Sequence, residues 1–219
     1  AGLRPSGAND PYALRRAALG VTTILVERAL PLDLADAVAD AAAGIPIPFP
    51  AAVQADVLEF LRRRLEGQLR DAGRAADAVA AVLAVQGADP SAAARAVAIV
   101  ERHVARPAWS DTLTSYARCA RIVRGRDDVP SAVDPARLTE AAERSLHAAF
   151  EQATAHLDPA DADAVFAALA ELAPTIHAFF DAVLVMADDP AVRANRLALV
   201  GRVAALPAAV ADLSQMEGF

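Results

Sequence analysis

Five arginines and one acid, Asp111, lie between Arg106 and Arg126, a local charge of +4 (five minus one) within a chain of 219 residues whose formal charge is -7. On a helix, at about 100° per residue, Leu113, Tyr116, Ala120 and Val123 share one side of this stretch, while Thr114, Arg118, Arg121 and Arg124 share another and Arg126 follows. An apolar face beside a basic one has two readings: a solvated amphipathic helix, or guanidinium groups that hold an RNA backbone in position. Tyr116 and Trp109, the latter expected in a loop, stand near this face. Trp109, Phe179 and Phe180 can stack on unpaired bases, with core packing the competing reading for the adjacent Phe pair. Arg193 and Arg196 share a side of the last helix with Val200 and Val203, so each needs a partner. That partner is either Asp181, Asp188 or Asp189 in a structural salt bridge, or RNA.

Other chemistry finds no matching pattern. His103, His147, His156 and His177 share no helical face with ligands at a recognised metal spacing, so no metal is expected. No glycine-rich phosphate loop and no nucleophile motif occurs, so neither a catalytic site nor a cofactor is expected within this chain. The single cysteine, Cys119, cannot close an internal disulfide and reads as a small core residue.

These side chains must be carried by helices. The chain is 55% hydrophobic with only 5% aromatic residues, and alanine supplies much of the apolar content, which favours close-packed helices over sheets. Lysine is absent, so all 21 basic residues are arginine, and arginine abundance alone carries little information. The acidic balance excludes a protein that coats nucleic acid indiscriminately, because such binding needs broad phosphate neutralisation. No leader-like segment and no uninterrupted membrane-length apolar run is visible, so a cytoplasmic protein with no membrane or DNA partner is expected. The chain opens on Ala1 rather than Met and reads as a piece of a longer polypeptide.

Five Asp-Pro pairs, at Asp10-Pro11, Asp89-Pro90, Asp134-Pro135, Asp158-Pro159 and Asp189-Pro190, each predict a helix start: Asp caps the first free N–H groups and Pro suits the first helical position. The expected helices run from Pro11 to about Leu30, around Leu34 to Ala42, Ala51 to Gly73, Ala76 to Val85 and Pro90 to Val104. A stiff Ile45-to-Pro50 connector separates the second from the third. Next comes Asp111 to Arg124, capped by Ser110 and stopped by Gly125. Four more follow: Pro135 to Leu157, Pro159 to Leu172, Thr175 to Val185, and Pro190 to about Leu213 with a kink at Pro207.

Three blocks resemble one known family. The opening Pro5-Ser6-Gly7-Ala8-Asn9-Asp10-Pro11-Tyr12-Ala13-Leu14-Arg15-Arg16-Ala17-Ala18-Leu19-Gly20 resembles a signature of the β subunit of bacterial glycyl-tRNA synthetase. The later Phe179-Phe180-Asp181-Ala182-Val183-Leu184-Val185-Met186-Ala187 and Arg193-Ala194-Asn195-Arg196-Leu197-Ala198-Leu199 resemble that subunit's C-terminal motifs. The second half is also similar to the helical anticodon-binding fold shared with arginyl-tRNA synthetase, in which a Tyr-Ala-x-Ala-Arg helix pairs with a closing Arg-Leu-Ala-Leu helix. Here Cys119-Ala120-Arg121 stands in for part of the first pattern, and the opening block counts against the arginyl enzyme itself.

The resemblance implies an all-α chain. Residues 1–105 would form a helical body following the family's HD-type domain, and residues 106–219 a DALR-like anticodon-binding bundle. It further implies a role in glycine–tRNA ligation without catalysis of its own. Glycine tRNA, the α subunit or an α-like region, and the remainder of β would be the partners, with ATP and Mg used at the α active site. The residues expected to touch tRNA are Trp109, Thr114, Tyr116, Arg118, Arg121, Arg124, Arg126, Arg193 and Arg196. A helical scaffold that docks other parts of the synthetase without touching RNA is the alternative.

Overall fold

A computed structural model describes residue 10 and residues 12–219; the first half of the opening signature and the Pro11 helix start lie outside the described residues. Among the described residues there are nine α-helices, three short 3-10 turns and no strand, as an alanine-rich chain demands. The molecule divides into two compact units, Ala1–Ala98 and Ile99–Phe219.

The first unit holds α1 (Leu14–Glu27), α2 (Leu34–Ala43), α3 (Ala51–Asp71), α4 (Ala76–Gln86) and most of α5 (Pro90–Val104). Its helix α1 starts three residues after Pro11, because the Asp10 carboxylate accepts from the N–H groups of Leu14 (2.8 Å) and Arg15 (3.0 Å) and Ala13 turns through a left-handed φ of 54°. Ala18, Leu25, Leu34 and Leu61 form one buried cluster, with Val38, Val57, Leu58 and Phe60 against it. The predicted α3 stripe is present, with Leu61, Leu65 and Leu69 buried.

The second unit holds the end of α5 with α6 (Trp109–Val123), α7 (Ala141–Thr154), α8 (Ala162–Ala182) and α9 (Pro190–Ala205). α8 is its centre and packs on both α6 and α7, while α6 also packs on α9. The sequence predicted two helices broken before Thr175, yet α8 runs through Pro174. An interior proline costs about 3 kcal/mol. Ile176 and Phe179, both fully buried just beyond it, each return about 1.5–3 kcal/mol, and their stripe continues that of Phe166, Leu169 and Leu172. α8 is also, among the described residues, the one helix long and apolar enough to cross a membrane, but nine of its side chains are buried in this bundle.

The Asp-Pro pairs divide by context. Asp89 and Asp189 cap α5 and α9, with Asp189 accepting from Ala191 (2.7 Å) and Val192 (3.1 Å). Asp134-Pro135 starts only a 3-10 turn, Pro135–Arg137, and α7 begins later at a capping box formed by Glu140 and Glu143. Asp158-Pro159 makes a turn, and α8 is capped instead by Asp161. The pair suits any first helical turn, and it specifies that turn without specifying a continuation. At the other end α9 stops at Ala205, and Pro207 lies in a 3-10 turn, Leu206–Ala209, rather than in a kinked helix.

Candidate nucleic-acid interface

Helix α6 begins at Trp109, capped by the preceding turn at Ala108 rather than by Ser110. Leu113, Tyr116, Ala117 and Cys119 are buried, which fixes the rotation of the helix and leaves Thr114, Arg121 and Arg124 exposed. Gly125 ends it in the left-handed region, at φ 69°.

The guanidinium groups on this face rest on aromatic rings. Arg118 lies 4.4 Å over the ring of Phe180, and Arg121 and Arg124 lie 5.2 and 5.0 Å from the ring centre of Phe219. Such contacts hold the planar fork in place while leaving its N–H groups and outer face free. The rings are themselves fixed. Phe180 meets the fully buried Phe179 edge-on at 5.3 Å, and Phe219 tilts against Tyr116 at 6.1 Å. Phe180 had competing readings as core and as stacking ring; the structure leaves it half-buried under Arg118.

The remaining candidates are held differently. Tyr116 is only 7% exposed and donates from its hydroxyl to the carbonyl of Ala204 (3.3 Å), so it positions α6 and Phe219 and offers no open face. Burial pushes its hydroxyl up to about 12, and pushes the Cys119 thiol up to about 12. Trp109 is not in a loop: it opens α6 and meets the buried Phe166 edge-on at 6.1 Å. Arg126 forks onto Asp128 through two bonds of 3.0 and 2.9 Å. Arg193 donates to the carbonyls of Ala187 (2.8 Å) and Asp188 (3.4 Å). Arg196, with 11% of its side chain exposed, pairs with Glu143, 1% exposed, and donates to the carbonyl of Leu184 (2.9 Å). None of the three carboxylates suggested by the sequence is the Arg196 partner, since Glu143 is 53 residues away and no local pattern signals it.

Phe219 escaped the sequence reading because a lone aromatic after the last helix belongs to no period. A 3-10 turn, Leu213–Gln215, returns the chain to α6, with the Asp212 side chain accepting from the N–H of Ser214 (3.0 Å). Burial disfavours the charged Asp212 carboxylate, yet bonds from Ser214 and Gln215 and the Arg124 charge outweigh it and hold its pKa below the usual range. His177 of α8 stands 3.0 Å from Asp111 of α6.

A planar cation on a fixed ring, with further cations along one helix, suits splayed bases and phosphates better than it suits an enclosed metabolite. Among the described residues no group of three or more His, Cys, Asp or Glu is placed to hold a metal ion. A cleft lined by Phe150, Thr154, Leu157, Pro159, Arg202, Ala205 and Leu206 offers one guanidinium, already paired with Glu151, which does not fit a nucleotide triphosphate.

Comparison with known proteins bears on this geometry. Residues 112–211, which include α6 and its arginines, match the family model described as the DALR anticodon binding domain, and residues 1–84 match that of the glycyl-tRNA synthetase beta subunit. The chain belongs to the glycyl-tRNA synthetase beta-subunit family. It is 36% identical over 220 residues to the glycine–tRNA ligase beta subunit of Thiobacillus denitrificans, covering 98% of this chain and 31% of that protein. It is 40% identical over 225 residues to the beta subunit of Anaeromyxobacter sp. strain K and 38% identical over 222 residues to that of Aromatoleum aromaticum. Each of these two matches covers 99% of this chain and 32% of the relative. The chain therefore spans about a third of the length of the beta subunits it matches.

Proposed function

We propose that this chain is the tRNA-holding part of a glycine–tRNA ligase and receives the anticodon arm of glycine tRNA on the α6 face. Arg118, Arg121 and Arg124 bind, Phe180 and Phe219 support them, and Thr114 offers a hydroxyl on the same side. ATP-dependent glycylation takes place elsewhere, at the α subunit or an α-like region using ATP and Mg, and the remainder of β completes the complex in the cytoplasm. Residues 106–219 act as the anticodon-binding domain and residues 1–105 as the helical body that supports it.

The observation that carries this reading is the pair of exposed arginines, Arg121 and Arg124, held on an aromatic ring within the stretch that matches an anticodon-binding model. An anticodon loop presents unstacked bases, on which guanidinium planes and rings stack, and its phosphates reward the same cations. The test is a titration of the 219-residue chain with a glycine-tRNA anticodon stem-loop and with a copy altered at the central bases, at two salt concentrations. Discrimination is expected, with an affinity that falls as salt rises; absence of binding at low salt defeats the proposal.

One observation gives the scaffold reading a place beside this one. Of the thirteen exposed large hydrophobics among the described residues, nine lie between Tyr12 and Ile47 in the first unit, where they suit docking to other protein surfaces rather than to RNA.

A further inference from the structure

Asp181 is the anomaly on the basic face. It is the penultimate residue of α8, where a negative charge opposes the partial negative charge of the helix end. Its side chain is 77% exposed, and it caps nothing. Its nearest cation, Arg118, is 3.9 Å away, a charge contact too long for a hydrogen bond. Asp128, by contrast, is fully engaged by the two bonds of Arg126, and Asp189 by the first turn of α9. Asp181 is thus an exposed acceptor, with no hydrogen bond from the described residues, beside a guanidinium that lies over the ring of Phe180. A surface built only to attract phosphate gains nothing from it.

We infer that Asp181 determines specificity: it accepts a hydrogen bond from the exocyclic amino group of a base stacked on the open side of the Arg118–Phe180 pair. The inference rests on the anticodon-binding reading above. A carboxylate accepts from the amino group of cytosine and is repelled by the carbonyl that uracil presents at the same position. Glycine codons begin with two guanines, so glycine anticodons carry adjacent cytosines, and one of them supplies the amino group. Arg118 then has two functions, as a stacking plane and as the neighbouring cation that holds the Asp181 carboxylate within reach of the base.

The test uses anticodon stem-loops in which each cytosine in turn is replaced by uracil, with the 219-residue chain as wild type, Asp181→Asn and Asp181→Ala. Wild type is expected to reject one of the replacements by about tenfold or more. Both variants are expected to lose most of that ratio at that position alone while melting like wild type. Wild-type rejection that persists undiminished in both variants overturns the role of Asp181 and leaves anticodon binding standing. A uniform gain in affinity for every stem-loop also overturns it, because it assigns Asp181 only a repulsive charge toward phosphate. Binding without discrimination by the wild type overturns the role of Asp181 alone, whereas failure of the wild type to bind any stem-loop at low salt removes the underlying reading as well.

Discussion

On α9 the guanidinium of Arg196 sits against Glu143 and the carbonyl of Leu184, and Arg193 holds the carbonyls of Ala187 and Asp188. On α6 the same functional group, in Arg121 and Arg124, stands exposed against the ring of Phe219. The first pair pins the segment between α8 and α9 to the start of α7, and Asn195 adds bonds to the N–H (2.7 Å) and carbonyl (3.1 Å) of Asp134. The second pair has donors to spare. What separates a structural arginine from one able to bind RNA is therefore the partner. A carboxylate or carbonyl consumes the N–H groups, whereas a ring supports the plane and leaves them free.

The strongest way to break this contrast is to remove Glu143. Glu143→Ala leaves Arg196 with an unpaired, mostly buried charge, and a loss of about 3–5 kcal/mol is expected in a denaturant melt. If stability stays within about 0.5 kcal/mol, the α9 arginines are not structural in this sense. Phe219→Ala should do the converse: stem-loop affinity falls about tenfold as the support under Arg121 and Arg124 disappears, while the melt moves much less. A change in the melt as large as that of Glu143→Ala would place Phe219 with the structural set.

The smallest effect sharpens the comparison through pH. Burial raises the Glu143 pKa, but the N–H of Glu140 and the Arg196 guanidinium overcome it, and the folded value lies below the ordinary 4.5. A depressed carboxyl contributes stability that is complete above the unfolded value and disappears as pH falls through the folded one. The stability gap between wild type and Glu143→Gln should therefore be constant at neutral pH and narrow as the medium is acidified below about 4.5. A gap that does not change with acidification would show that the charge on Glu143 contributes nothing.

Much of this was legible in the sequence because it rests on local rules. The α3 stripe, the starts of α5 and α9, and the division of α6 into apolar and basic sides follow from spacing and capping chemistry over a few residues. Pro174 was misread because the local cost of proline is visible in sequence, whereas the buried stripe that outweighs it depends on what α6 and α7 bring to α8. Trp109 was misread because turn residues Arg106 and Pro107 suggested a longer loop than the one that forms.

The sequence by itself determined that the chain is helical, where most helices begin, and that one face of α6 is basic, since each depends on residues within a few turns of one another. Only the tertiary structure decided which arginines remain available. Glu143 reaches Arg196 and Phe219 reaches Arg121 and Arg124 from distant parts of the chain, and a charged group's availability is set by the partners that folding brings within a few ångströms.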